Sequence, residues 1–175
     1  RFYIMKKTKF ILLVTILCLF CSTSFVWSRA GEEAVKIGAL IPLTGPLSEF
    51  AQGFRWAGEV AETHFLRAGF PVDVIYYDTE TSAIPGVTAA RTLVDIEKVL
   101  GVVGAAASGV TLPVAESVTI PAKIPQIANA STSPVITDLP ADEGKDFLFR
   151  TVVTDAVQGV VLGMLASEEG YERAA

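Results

Sequence analysis

From Val35 onward, short unbroken apolar runs alternate with longer segments in which apolar residues return every three or four positions. The runs read as buried strands and the periodic segments as helices. Val35–Pro42, VKIGALIP, is closed by Pro42 and the turn formers Thr44, Gly45 and Pro46, which predicts a fully buried first strand. Phe50, Phe54, Ala57, Ala61, Phe65 and Ala68 follow at helical spacing. Ser48 is expected to cap that helix, its apolar stripe to pack on the sheet and Gly69 to end it. His64, the single histidine, sits beside the stripe, where a lone imidazole is structural. After Pro71, VDVIYYD alternates Val72, Val74 and Tyr76 with Asp73, Ile75 and Tyr77, the pattern of a more peripheral strand. Ser82 and Pro85 start a second helix with an apolar side of Val87, Ala90, Leu93, Val94 and Val99. Gly101–Gly104 predicts a third strand, Val114–Ile120 a third helix between Pro113 and Pro121, and PQIA (125–128) a fourth strand running into the polar loop NASTSP. Phe147–Arg150 predicts a fifth strand, and Thr154 to Gly170 a last helix carrying Val157, Val160, Val161, Met164 and Leu165. Between them Val135–Asp146, with Pro140, Gly144 and four acids, reads as a solvated loop.

Strands that alternate with helices in this way predict an α/β fold, a doubly wound parallel sheet with helices on both faces. Strand order 2-1-3-4-5 places the reversal between the first and third strands, so the loops after Pro42 and Gly104 face each other across a crevice where ligands bind. The second of these loops belongs to the stretch GVVGAAASGVTLP, residues 101–113. One reading has Ser108, Gly109 and Thr111 offering hydroxyls and backbone N–H groups to a ligand. The other has the small residues serving close helix-on-sheet packing, with Ser108 a plain N-cap.

The first thirty residues change the domain count. Lys6, Lys7 and Lys9 after Met5, the apolar run Phe10–Phe20 and the small, polar segment Ser22–Ala30 form a secretory signal, with Arg1–Ile4 as an upstream extension. Cleavage after Ser28 and after Ala30 both suit it. An uncleaved anchor ranks second, because the apolar run is shorter than the ~20 residues a membrane span takes. The remaining 145 residues are the size of one ordinary domain. Removing the signal takes five of the fourteen basic residues and no acid, which leaves nine against nineteen, a formal charge of −10. That balance argues against nucleic acid and against insertion of the mature domain into an anionic membrane. Cys18 and Cys21 both lie in the signal, so the exported domain has no disulfide, thiol nucleophile or cysteine metal ligand.

Candidate chemistry is sparse. Gly101 and Gly104 do not form a dinucleotide fingerprint, no phosphate loop of the GxxxxGK type is present, and Ser108 lacks the preceding glycine of a nucleophile elbow. Metal-ligand spacing is missing, and Asp78 and Glu80 lie on the second strand, outside the proposed crevice. Thr44, Ser108, Thr111, Asn129, Ser131, Thr132 and Ser133 remain, neutral groups that bind a small polar or zwitterionic molecule without breaking bonds. No catalytic residue, cofactor or metal is therefore expected.

The segments VKIGALIPLTGPLSEFAQGFRWAGEVA, YYDTET, ARTLVDIEKVLGVVG, ASGVTLPVA, IPQIANASTSP and LFRTVVTDAVQG, in that order, resemble the N-terminal lobe of type 1 periplasmic binding proteins. The branch is that of the leucine/isoleucine/valine-binding proteins of ABC importers. The resemblance implies a periplasmic solute-binding protein that encloses a branched-chain amino acid, or a related small amide or carboxylate, between two lobes and delivers it to a membrane permease. A ligand-sensing domain of a receptor or regulator with the same fold is the alternative. By the same resemblance Ser108 and Thr132 hydrogen-bond the ligand's α-carboxylate and amino groups, Ala130 offers its carbonyl to the ammonium, and Phe50 covers the ligand side chain where the family often has tyrosine. Gly109 and Ser131 are additional candidates. By the same resemblance residues 31–150 would form the N-terminal ligand-binding lobe, and residues 151–175 the first crossing between lobes and the start of a truncated second lobe.

Overall fold

The computed structural model describes residues 33–171 and 173, all but Glu33 within the unit Ala34–Ala175. The signal read over residues 1–30 lies outside the described residues. The five strands are β1 (Val35–Ile41), β2 (Val72–Asp78), β3 (Gly101–Val103), β4 (Gln126–Ala128) and β5 (Leu148–Arg150). They form one parallel sheet in the order β2-β1-β3-β4-β5, as the alternation of elements predicts. β1 pairs along its whole length with β2, from Val35 opposite Val72 to Ile41 opposite Asp78, and on its other side with β3, Ile37 opposite Gly101. The order reverses between β1 and β3, which brings the loops after these strands to one edge.

The helices are α1 (Ala51–Arg67), α2 (Ala83–Arg91), α3 (Ser108–Val114) and α4 (Asp155–Glu168). Wider turns over Thr92–Ile96 and Ala115–Thr119 extend α2 and α3, and a last turn, Ile120–Ala122, follows the latter. The main core fills the face of the sheet under α2 and α3, where Leu40, Val102, Ala90, Leu93, Val110 and Val114 are at most 2% exposed. A second cluster, Ala115, Ile120, Ile136, Leu139 and Leu148, continues it beneath β5. Here the stretch 135–146 departs from the open loop read from its acids. Two short 3-10 turns, Pro134–Ile136 and Pro140–Asp142, bury Ile136 and Leu139, while Asp142 accepts the N–H groups of Phe147 and Leu148 at 2.9 and 3.0 Å.

Several expected details are corrected. β1 is buried only from Gly38 to Ile41, while Val35 is exposed and Lys36 and Ile37 are half-buried. Ser48 makes no capping bond: a 3-10 turn over Ser48–Phe50 precedes α1, and its flanking residue is Leu47. The stripe on α1 faces the sheet over a cleft instead of packing tightly. Phe50 and Phe65 are about half exposed, and a space of ≈ 290 Å³ opens among Ile37, Ala39, Phe54, Ala61, Val74 and Val103. Gly69 does end α1, with φ at 86°. The N–H groups of Gly69 and Phe70 reach back to the carbonyls of Leu66 and Phe65 at 3.0 and 2.9 Å, a paired closure that a left-handed residue permits. The third helix begins at Ser108, six residues earlier than Val114, and carries Pro113 inside it.

Candidate functional site

The loops after β1, β3 and β4 meet at the carboxyl edge of the sheet, and each is fixed by a different device. Gly104 leaves β3 with φ at 122°, and a Cβ on it would collide with the Leu40 carbonyl oxygen, so only glycine lets β3 turn this close to β1. Its N–H donates to Ile127 at 2.8 Å. The next residues, Ala105 and Ala106, are buried, and their polar backbone groups need partners.

Thr111 and Ser131 supply those partners. The Thr111 hydroxyl accepts from the Ala105 N–H at 3.1 Å, lies 3.0 Å from the Ala105 carbonyl and 2.7 Å from the Ser131 hydroxyl. Ser131 in turn donates toward the carbonyls of Ala105 and Ala106, at 3.0 and 3.2 Å. Below them Gln126, with no exposed surface, donates to the Gly104 carbonyl at 3.0 Å and accepts from the Thr119 hydroxyl at 2.7 Å. The loops after β3 and β4 are thereby joined into one buried polar network, which holds its shape because every member would be costly to leave unpaired.

The surface above this network carries the candidate binding groups. Ser108 is the first residue of α3, flanked by an extended Ala107, and does not cap the helix. Its hydroxyl instead accepts the Ser133 N–H at 3.2 Å. The reading of Ser108 as a plain N-cap is therefore replaced by a cross-link between the two loops. Thr132, half-buried, donates its hydroxyl to Asp155 Oδ2 at 2.9 Å and accepts the Asp155 N–H on its carbonyl at 2.9 Å. Ala130 and Gly109 are exposed on the same loops, and a Cβ added to Gly109 would meet nothing within 4 Å. Ser131, 1% exposed and bonded inward, offers no polar atom to a ligand here, and Thr111 is equally buried. Phe50 stands on the loop after β1, 52% exposed, and none of the hydrogen bonds of that loop joins it to Ser108 or Thr132.

Two charged residues that sequence reasoning left aside set this geometry. Arg150 on β5 donates through Nη1 to the carbonyls of Ser133 at 2.8 Å and Thr132 at 3.4 Å, and through Nη2 to the Thr137 hydroxyl. Its planar fork clamps the loop after β4 from below. Asp78, at the end of β2, holds the loop after β1. Oδ2 accepts the Thr44 hydroxyl at 2.6 Å, and Oδ1 accepts the N–H groups of Thr44 and Glu80 at 3.1 and 2.8 Å. Partial burial pushes the Asp78 carboxyl up, but the hydrogen bonds from Thr44, Glu80 and Leu43 outweigh it and leave its pKa below the ordinary value. Gln126 had a sequence signal, a polar residue inside an apolar strand. Arg150, Asp78 and Asp155 had none, since their partners are set by tertiary placement.

Asn129 Oδ1 is buried with no hydrogen-bond partner among the described residues, and it lines the cleft under α1. A wider cavity of ≈ 680 Å³ opens among residues from Ile136 to Arg150 and touches neither ligand loop. Among the described residues no group of three or more His, Cys, Asp or Glu side chains could hold a metal ion, and no helix is long and apolar enough to cross a membrane.

Residues 34–175 match the periplasmic binding protein family. An amino acid binding protein of Pseudomonas aeruginosa is 32% identical over 152 residues, which span 85% of this chain and 39% of that protein. The leucine binding protein LivK of Thermotoga maritima superposes with a TM-score of 0.65 at 29% identity, over 78% of this chain and 37% of that one. A solute binding protein of Rhodopseudomonas palustris, crystallised with 3,4-dihydroxybenzoic acid, shares the fold at a TM-score of 0.63 and 22% identity, over 79% and 37% of the two chains. The chain spans 37% and 39% of the length of two curated relatives it matches.

Proposed function

The chain belongs to the periplasmic binding protein family, and on that premise we propose that it forms the ligand-capturing lobe of an extracytoplasmic solute-binding component of an ABC importer. The solute is a branched-chain amino acid or a related small amide or carboxylate, handed to a membrane permease after capture in the periplasm. The observation that carries this reading is the bond from the Ser133 N–H to the Ser108 hydroxyl at 3.2 Å. It sets two loops rich in hydroxyl and backbone groups side by side at the carboxyl ends of β3 and β4, next to the reversal between β1 and β3 at which open parallel sheets take small ligands. The relatives named for amino acid and leucine binding favour an amino acid over other small solutes. The fold alone does not select the ligand, since a neighbour of the same fold was crystallised with an aromatic acid.

The lobe acts as a binder and not as an enzyme. Its groups are neutral donors and acceptors, and His64 sits in the last turn of α1, exposed, away from the three loops. In this reading Ser108 and Thr132 hold the charged ends of the ligand, the Ala130 carbonyl adds an acceptor, and Phe50 shields the side chain.

Calorimetry on the full-length protein tests it. Leucine, isoleucine or valine should bind, and Ser108→Ala and Thr132→Ala should each weaken binding by ~1–3 kcal/mol. Each variant also loses one hydrogen bond of the ligand-free protein, so its melting temperature should fall by a few degrees. A wild-type protein that binds none of the three amino acids, or variants that bind them as the wild type does, would overturn the proposal.

A further inference from the structure

The cleft under α1 follows from where small residues fall on the two faces that enclose it. Along α1 the apolar stripe is bulky at Phe54 and Phe65 and small between them, at Ala57, Gly58 and Ala61. On the sheet, Ala39 of β1 stands in one row between Tyr76 of β2 and Val103 of β3, so the strand too is small at this point. Tyr76 keeps the two faces apart. Its hydroxyl donates to the Arg55 carbonyl at 3.3 Å and lies against Gly58, where an added Cβ would collide with the phenol oxygen. The helix cannot settle further onto the sheet without displacing that ring.

One polar side chain interrupts the apolar lining. Asn129, the first residue after β4, borders the cleft, and its Oδ1 is buried with no hydrogen-bond partner among the described residues. The Tyr76 hydroxyl, which also borders the cleft, gives its proton to Arg55 and has none left for Asn129. A buried acceptor without a donor costs ~1–3 kcal/mol, and buried polar groups are otherwise almost always paired. The other lining positions are aliphatic or aromatic, and none is charged. A molecule suited to this space is therefore neutral and largely apolar, and gains most if it carries one N–H or O–H to give to Asn129. At ≈ 290 Å³ the cleft has about twice the volume of the ~150 Å³ cavity that holds benzene, room for one or two fused rings. It opens past Phe65 and Val103, 49% and 38% exposed, which leaves a way in.

We propose that the cleft between α1 and the sheet is a further binding site, for a small neutral ring compound that donates one hydrogen bond to Asn129 Oδ1. Neither Ser108 nor Thr132 lines it. The site is thus separate from the surface those residues form, and either reading can fail without the other.

Indole and indene test this, since they share the same fused rings and differ in that indole carries an N–H where indene has a CH2 group. Equilibrium dialysis against the protein, with leucine in excess to keep the loop surface occupied, should show saturable binding of indole. Asn129→Leu keeps the side-chain volume and removes the acceptor, and should lower the ratio of indole to indene affinity ~10-fold. The cost of taking each compound out of water is common to both proteins, so that change reads the hydrogen bond itself. Ala61→Phe fills the cleft from the helix side and should weaken both compounds at least ~10-fold. If the wild type binds no indole, if Asn129→Leu leaves the ratio unchanged, or if Ala61→Phe binds indole as the wild type does, the inference is overturned. It is overturned equally if the ligand-free protein sediments as a dimer that Val103→Glu dissociates, because a second copy then covers the cleft.

Discussion

Gly109 tells a ligand surface from a packing surface at the scale of one residue. It is the second residue of α3, exposed, and a Cβ on it would touch nothing, so packing within the described chain does not require a glycine there. Gly109→Ala should raise the stability of the ligand-free protein by about 0.5–1 kcal/mol, since alanine loses less backbone freedom in a helix. If leucine rests against the backbone at this point, the same methyl should weaken its binding. Melting curves and calorimetry on one variant read both effects, and a stabilised variant with unchanged leucine affinity would remove Gly109 from the site. Ser108 and Ser131 show where residue type stops being informative. Both are serines on small-residue loops, yet Ser131 is turned inward because the buried carbonyls of Ala105 and Ala106 need a donor, whereas Ser108 stays at the surface. Those carbonyls belong to residues 25 and 26 positions away, beyond any local pattern.

Among the elements, the carboxyl ends of β1 and β2 are tied together by Asp78. Its folded pKa is depressed, so its contribution to stability is complete above the ordinary value of 3.8 and is lost as pH falls through the lower folded value. Asp78→Asn should cost about 1 kcal/mol at pH 7 by replacing charged hydrogen bonds to Thr44 and Glu80 with weaker ones. The gap between variant and wild type should then close as the pH drops below about 4. Urea unfolding at pH 7 and pH 3 measures both arms, and identical curves at pH 7 would show that this carboxylate does not hold the loop after β1. The elements themselves were legible because apolar runs and helical spacing reflect burial directly. Their starts were less so. Ser48 and Ser108 both have the residue type of an N-cap, but the chain enters α1 through a 3-10 turn and enters α3 at Ser108 itself, whose oxygen goes to Ser133. Capping preference is worth only about 1 kcal/mol, comparable to the one hydrogen bond that takes the Ser108 hydroxyl across to Ser133, so tertiary placement can redirect it.

For the whole molecule, the sheet is covered unequally. The face under α2 and α3 is densely packed, while Val103, Ile127 and Phe149 on β3, β4 and β5 remain partly open, and Val157, Val160, Val161 and Met164 of α4 are exposed. The ligand loops likewise present one edge, and a site for a small molecule normally buries 70–90% of its ligand. Residues 31–175 should therefore bind leucine at least ~100-fold more weakly than the leucine binding protein of Thermotoga maritima, of which the chain covers 37%. Micromolar binding by that segment in calorimetry would contradict this. By itself the sequence determined the order of strands and helices, the reversal between β1 and β3 and the hydroxyl-rich character of the loops beyond it, because periodicity, turn residues and chain order carry those properties locally. Only the tertiary structure decided which hydroxyls reach the surface, which way Ser108 and Thr132 can bond, and that Asp78, Arg150 and Asp155 hold the three loops. Those outcomes depend on hydrogen bonds between residues 17 to 34 positions apart. Such partners come together only when the sheet has formed.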